Sequence, residues 1–127
     1  DDFQLHVEFQ LLDGGGSGVY LRGRYEVQIG NDAGLPVGPR TTGAIFGQLS
    51  PSSSEGKPLG EWQAHDVTIV GRHVTVAVNG RRVISESEIP GITGAALDSH
   101  EELPGPIMLQ GDHGRIAFRN IVLTPAR

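Results

Sequence analysis

The stretch Gly14–Asp32, GGGSGVYLRGRYEVQIGND, decides how the rest of the chain is read. With a period of two, Val19, Leu21, Tyr25, Val27 and Ile29 fall on one side, with Gly23 keeping their place. Tyr20, Arg22, Arg24, Glu26 and Gln28 fall on the other. The first row predicts a core face. The second is either the lining of a sugar site, which needs an aromatic ring, charges and an amide together, or the solvated face of an antiparallel sheet.

Outward from this strand, Phe3–Leu11 alternates cleanly, with Phe3, Leu5, Val7, Phe9 and Leu11 set against Gln4, His6, Glu8 and Gln10. The intervening DGGGSG predicts a turn, so the two segments are expected to form a hairpin that brings His6 and Glu8 near Tyr20 and Arg22. A phosphate-cradling reading of those glycines fails, because such loops run from a strand into a helix and here another strand follows. Thr42–Leu49 reads as a short strand or turn, and Ser50–Gly60 as a loop. Asp66–Val70, Arg72–Val78 and Arg81–Ile84 read as a three-stranded meander, with Asn79-Gly80 a type I′ turn signal. Glu86–Glu102 reads as a long loop, with one helical turn near Ala95–Leu97. Gly105–Gln110 and Ile116–Leu123 read as a closing hairpin.

The 127 residues suit one domain, 1–127. Nineteen glycines and eight prolines among short β-branched runs favour turns over helices. Roughly eight strands predict an all-β sandwich or jelly roll. Ten basic against fifteen acidic residues give a net charge of −5 without a basic run, which argues against nucleic acid as a partner. No apolar run reaches the ~20 residues of a membrane helix, so no membrane partner is expected. Cysteine is absent, which excludes disulfides and thiolate chemistry.

The fragments GVYLRGRYEVQI, TGAIFGQLSP, KPLGEWQ, VTVAVNGRRV and GPIMLQGDHGRIAFRNIVL, in that order, resemble the 3-keto-disaccharide hydrolase family, from about Phe3 to Pro125. The resemblance implies a concanavalin A-like jelly roll of two antiparallel sheets. It also implies a carbohydrate partner and a bacterial periplasmic or secreted setting. Members of that family carry further strands ahead of the segment matching Phe3–Leu11, so the chain reads as shortened at its N-terminus. A homodimer or a strand-completing partner chain is then expected. Ser17 stands where the family has asparagine.

The implied substrates are glycosides oxidised to a ketone at C3, which acidifies the C2 hydrogen and permits elimination across C1–C2. On the matching motifs, Glu26 and His113 are the expected catalytic pair. Arg22, Gln28 and Gln110 are expected as hydroxyl and oxyanion donors, with Tyr20 or Trp62 as the apolar platform and Lys57 at the border of the pocket. Without the resemblance, His113 reads as a turn histidine bonded to backbone, Trp62 as a core plug, and Arg22 as an ion-pair partner of Glu26. A divalent cation would stabilise the enolate, and Glu8, Glu26 and His113 are its candidate ligands, although the five histidines show no paired ligand spacing. Two further readings stay open. One is an ordinary glycosidase using Glu8 and Glu26, and the other is a noncatalytic carbohydrate-binding or lectin-like module.

Overall fold

The computed structural model describes residues 2–22, 24–90, 108–109 and 115–125. Within them the chain forms eight strands: β1 (Phe3–Leu11), β2 (Ser17–Leu21), β3 (Tyr25–Ile29), β4 (Trp62–Val70), β5 (His73–Val78), β6 (Arg81–Glu88), β7 (Met108–Leu109) and β8 (Ile116–Pro125). All pairings are antiparallel. They make a five-stranded sheet, β6-β5-β4-β1-β8, and a three-stranded sheet, β3-β2-β7. This is the expected jelly-roll sandwich. No described helix is long and apolar enough to cross a membrane.

Two expected hairpins are instead crossovers between sheets. β1 pairs with β4 and β8, while β2 pairs with β3 and β7, so the glycine-rich turn carries the chain from one layer to the other. β7 and β8 part in the same way. The reason is burial: β1 has one wholly apolar row and β2 presents Val19 and Leu21, and stacking them face to face hides both. Phe3, Leu5, Val7, Phe9 and Leu11 accordingly meet Val19, Leu21, Tyr25, Val27 and Ile29 in one core with Val67, Ile69, Val74 and Val76. Each such side chain contributes about 1.5–3 kcal/mol by leaving water.

The Gly14–Asp32 stretch is itself a hairpin, with Leu21 opposite Tyr25, Tyr20 opposite Glu26 and Val19 opposite Val27. Each pair joins residues of equal parity, so folding the strand back on itself keeps both rows intact. At the bend the Arg24 amide donates to the Leu21 carbonyl at 3.0 Å, and Arg22 takes a left-handed φ of 55°. Arg22 is held there by its guanidinium, which donates to the Gly71 carbonyl and to Asp2 at 3.3 Å.

The meander β4-β5-β6 forms as expected, and the positive φ values of Asn79 (52°) and Gly80 (85°) are those of the I′ turn. Residues 42–49 form turns with isolated bridges from Ile45 to Val27 and Leu49. There Gly43, at φ 93°, lies so close to Val78 that a Cβ would collide with it.

β8 is irregular and is an edge strand among the described residues. Its register with β1 runs from Glu8↔Arg119 to His6↔Val122, so three steps on β8 match two on β1. Asn120, at φ 52°, sits in this bulge. Beyond it Ile121, Val122 and Leu123 are 46, 53 and 57 % exposed.

Candidate functional site

The polar row of the short sheet is buried. Glu26 keeps only 6 % of its surface exposed, and the Tyr20 hydroxyl opposite donates to its carboxylate at 3.3 Å. That length is long for an O–H···O bond, so the hydroxyl orients the carboxylate without gripping it tightly. Gly18 is the reason the carboxylate fits, since a Cβ at that position would collide with the Glu26 side chain. Gln28 lies two residues on along the same side of β3 and is half-buried. Its backbone is fully used: its N–H goes to Ala44 at 2.9 Å, and its carbonyl accepts from Gly43 at 2.9 Å and from His65 Nε2 at 3.0 Å. Arg22 and Arg24 flank this row at the bend, both buried.

β7 pairs with β2 through Val19↔Leu109 and Tyr20↔Met108. The motif LQGDHG, which carries Gln110 and His113, begins at Leu109, the residue paired with Val19. Gln110 and His113 themselves lie outside the described residues, as do residues 91–107 with the helical turn expected near Ala95–Leu97.

Lys57, Trp62 and Glu8 belong elsewhere. Trp62 is paired with Gln10 across β4 and β1, on the side that faces away from the core. The two layers share one core, so the outward side of the five-stranded sheet and the Tyr20–Glu26 row point in opposite directions. The structure thus corrects two expectations. His6 and Glu8 do not share a face with Tyr20 and Arg22. Glu8 and Glu26 do not converge, either as a glycosidase acid pair or as ligands of one cation. Among the described residues, no three His, Asp or Glu side chains converge as a metal site would require.

On that outer face a dense polar cluster surrounds Glu8. Arg119 Nε donates to Glu8 Oε1 at 2.7 Å and Asn120 Nδ2 to the same oxygen at 2.9 Å. Consecutive residues on a regular strand point to opposite sides; the bulge lets both reach one carboxylate. His6 Nε2 meets Glu8 Oε2 at 2.8 Å and its Nδ1 meets Asp66 Oδ1 at 2.6 Å. Carboxylates only accept, so both ring nitrogens donate and the ring is an imidazolium. Hydrogen bonds from His6 first, then from Arg119 and Asn120, hold the Glu8 carboxyl down at about 2. The bonds to Glu8 first and Asp66 second raise His6 above its ordinary value. Arg119 also lies over the Trp62 ring, 3.8 Å from its centroid.

His65 is a residue that the sequence reading passed over. It is fully buried, packs edge-on against Phe9 at 4.8 Å, and bonds the Gln28 carbonyl of the opposite layer. Since Nε2 donates, Nδ1 carries no proton, and it has no hydrogen-bond partner. Burial pushes its pKa down. The signal was present in the alternation Gln63, His65, Val67, Ile69, which puts the ring on the core side once β4 is started at Trp62 instead of Asp66.

The two histidines act oppositely on stability. His65, lowered in the folded state, makes unfolding take up a proton below the unfolded value of 6.5, so stability falls as pH drops from there towards its folded pKa. His6, raised, contributes stability that is full below 6.5 and is lost as pH rises through its folded value. Solvent weakens the His6 contribution, because its side chain is one-third exposed, so His65 is expected to dominate. Thermal melts from pH 8 to pH 5 should show Tm falling below about pH 6.5, and His65→Gln should flatten that slope. An unchanged slope in the variant would assign the acid sensitivity to other groups.

The two antiparallel layers define a jelly-roll β-sandwich. The chain belongs to the family of 3-keto-alpha-glucoside-1,2-lyase-like domains, whose model matches residues 1–124. Solved structures similar to it include three proteins of Parabacteroides distasonis ATCC 8503, each designated a "putative glycosyl hydrolase". The first is 28 % identical with a TM-score of 0.83, over 99 % of this chain and 64 % of its own. The second is 28 % identical, TM-score 0.75, over 99 % and 80 %. The third, at 18 % identity and TM-score 0.79 over 99 % and 70 %, shares the fold. The chain therefore spans about two-thirds to four-fifths of their lengths. No curated protein matches it.

Proposed function

We propose that this is a carbohydrate-active domain that cleaves 3-keto-glycosides by elimination across C1–C2, with Glu26 as the base. The observation that carries the reading is the Glu26 carboxylate, sheltered over Gly18 and steered by Tyr20, on a sheet whose third strand leads directly into the segment bearing Gln110 and His113. Membership of a 1,2-lyase-like family and the likeness to two structures each designated a "putative glycosyl hydrolase" support it.

Glu26 takes the C2 proton and the electron pair of that C–H bond moves to the C3 oxygen as an enolate. The enolate re-forms the ketone, C1–C2 becomes a double bond, and the glycosidic C1–O bond breaks. His113 protonates the departing oxygen, and Gln28 and Gln110 donate to the enolate oxygen. Addition of water to the unsaturated ketone would complete a net hydrolysis. Withdrawing water from the carboxylate strengthens it as a base against a carbon acid, which is why a buried position suits this chemistry.

The test is substrate oxidation state. An aryl 3-keto-glucoside should release its phenol with the protein, and the matching unoxidised glucoside should not, because only the ketone acidifies C2. Equal release from both would refute elimination and favour ordinary glycoside hydrolysis. Binding without release from either would favour the lectin-like reading.

A further inference from the structure

The outward face of the five-stranded sheet has a hollow of ≈ 260 Å³ beside Trp62, on the side of the sandwich opposite Glu26. Its floor is Ala64, a small residue between taller neighbours on β1 and β4, and its walls are Trp62 with Arg119, Lys57 and Glu8. The walls are braced from behind. Gln63, 3 % exposed, clamps the main chain of Lys57 with both ends of its amide, accepting from the Lys57 N–H at 2.8 Å and donating to its carbonyl at 3.2 Å. Asn79 in turn donates to Gln63 at 3.3 Å and accepts from the Ala64 N–H at 2.9 Å.

The donors left over decide the ligand. Glu8 is already met by His6, Arg119 and Asn120. Arg119 spends only Nε on Glu8, and its terminal nitrogens, on a guanidinium centred 3.8 Å from the indole centroid, bond nothing among the described residues. The Lys57 ammonium forms no ion pair among them either. Two cations with open donors therefore border a hollow that also has an aromatic wall and an apolar floor. A planar guanidinium edge matches a carboxylate with two parallel bonds, while the indole and the Ala64 methyl suit the C–H face of a ring.

We propose that this hollow is an accessory binding site for one sugar ring that carries a carboxylate, a uronate-type residue, with Arg119 and Lys57 on the carboxylate and Trp62 beside the ring. The choice of a sugar rests on the carbohydrate reading above, but the site is separate from Glu26.

Trp62 is the sole tryptophan of the chain, so intrinsic fluorescence reports on this wall directly. The full chain is titrated at fixed ionic strength with methyl glucuronide, methyl glucoside and sodium acetate. The glucuronide should give a saturable change, with the other two at least about tenfold weaker, as expected for loss of a charge-assisted bidentate contact or of the ring. Lys57→Gln should raise the glucuronide Kd about tenfold, and Arg119→Lys should do the same while circular dichroism stays unchanged. No saturable change, a glucoside or acetate binding as tightly as the glucuronide, or a Lys57→Gln protein binding like the wild type would each overturn the proposal. The titration needs no turnover, so its failure leaves the Glu26 chemistry standing, and a failure of aglycone release leaves the titration unaffected.

Discussion

Replacing Glu26 by Gln is expected to slow release from an aryl 3-keto-glucoside by about 10²–10⁴, the usual contribution of a positioned general base. The amide keeps the size of the carboxylate and can still accept from Tyr20, so the melting temperature should stay close to that of the wild type. A second substitution separates the base from its placement. In Gly18→Ala the new methyl collides with Cγ and Cδ of Glu26 as well as with its carboxylate, so the whole side chain must turn from Cβ outward, at some cost in stability, and the carboxylate leaves its position. A displacement of about 1 Å costs on the order of 10²-fold in rate. Steady-state kinetics and thermal melts on both variants check this. Full activity in Glu26→Gln would remove Glu26 from the reaction.

The second large effect concerns stability. Phe9 is completely buried and packs on the ring of His65, which bonds across to the Gln28 carbonyl, so it supports the joint between the two layers. Phe9→Ala leaves a cavity beside that imidazole and should cost about 3–5 kcal/mol. Against a total of roughly 5–15 kcal/mol, this is a large share. The expected drop in Tm is on the order of 10–20 °C, read by calorimetry or circular dichroism. His65→Gln should lose less, because it keeps a polar group near the Gln28 carbonyl. A Phe9→Ala protein melting within a few degrees of the wild type would show that the layers close around the gap.

Rows of alternating residues were legible in the sequence, as was the local pairing of the β4-β5-β6 meander, and the pairing of strands distant in the chain was not. Val19, Leu21, Tyr25, Val27 and Ile29 were correctly placed on one face although the segment bends in the middle, because a hairpin pairing residues of equal parity preserves a two-residue period. Whether β1 joins β2 or β4 depends on which arrangement hides more apolar surface, and that is a property of the whole molecule. The I′ turn at Asn79-Gly80 was legible because its chemistry is local. The bulge at Asn120 was not. Along β8 the inward positions change from Ile116 and Phe118 to Leu123 and Pro125, a parity switch that looks like imperfect alternation until the extra residue is seen.

For the candidate site, Tyr20 and Glu26 were found by sharing a row. Lys57 and Trp62 were grouped with them by motif alone, and the fold sends them to the other side of the molecule. Arg22 was expected as a donor to substrate, but its guanidinium reaches Gly71 and Asp2 and holds the bend. Arg119 was missed because it meets Glu8 only through the β1–β8 register, and Asn120 because it reaches Glu8 only where the strand carries its additional residue.

The last strand has one further implication. Three adjacent aliphatic side chains along a backbone ladder that is unpaired among the described residues form a template on which an extended peptide of suitable alternation can be laid, lengthening the larger layer by one rung. Colloidal behaviour in concentrated solution should therefore be governed by this border and not by the net charge, and a lysine placed there would change it more than several placed elsewhere.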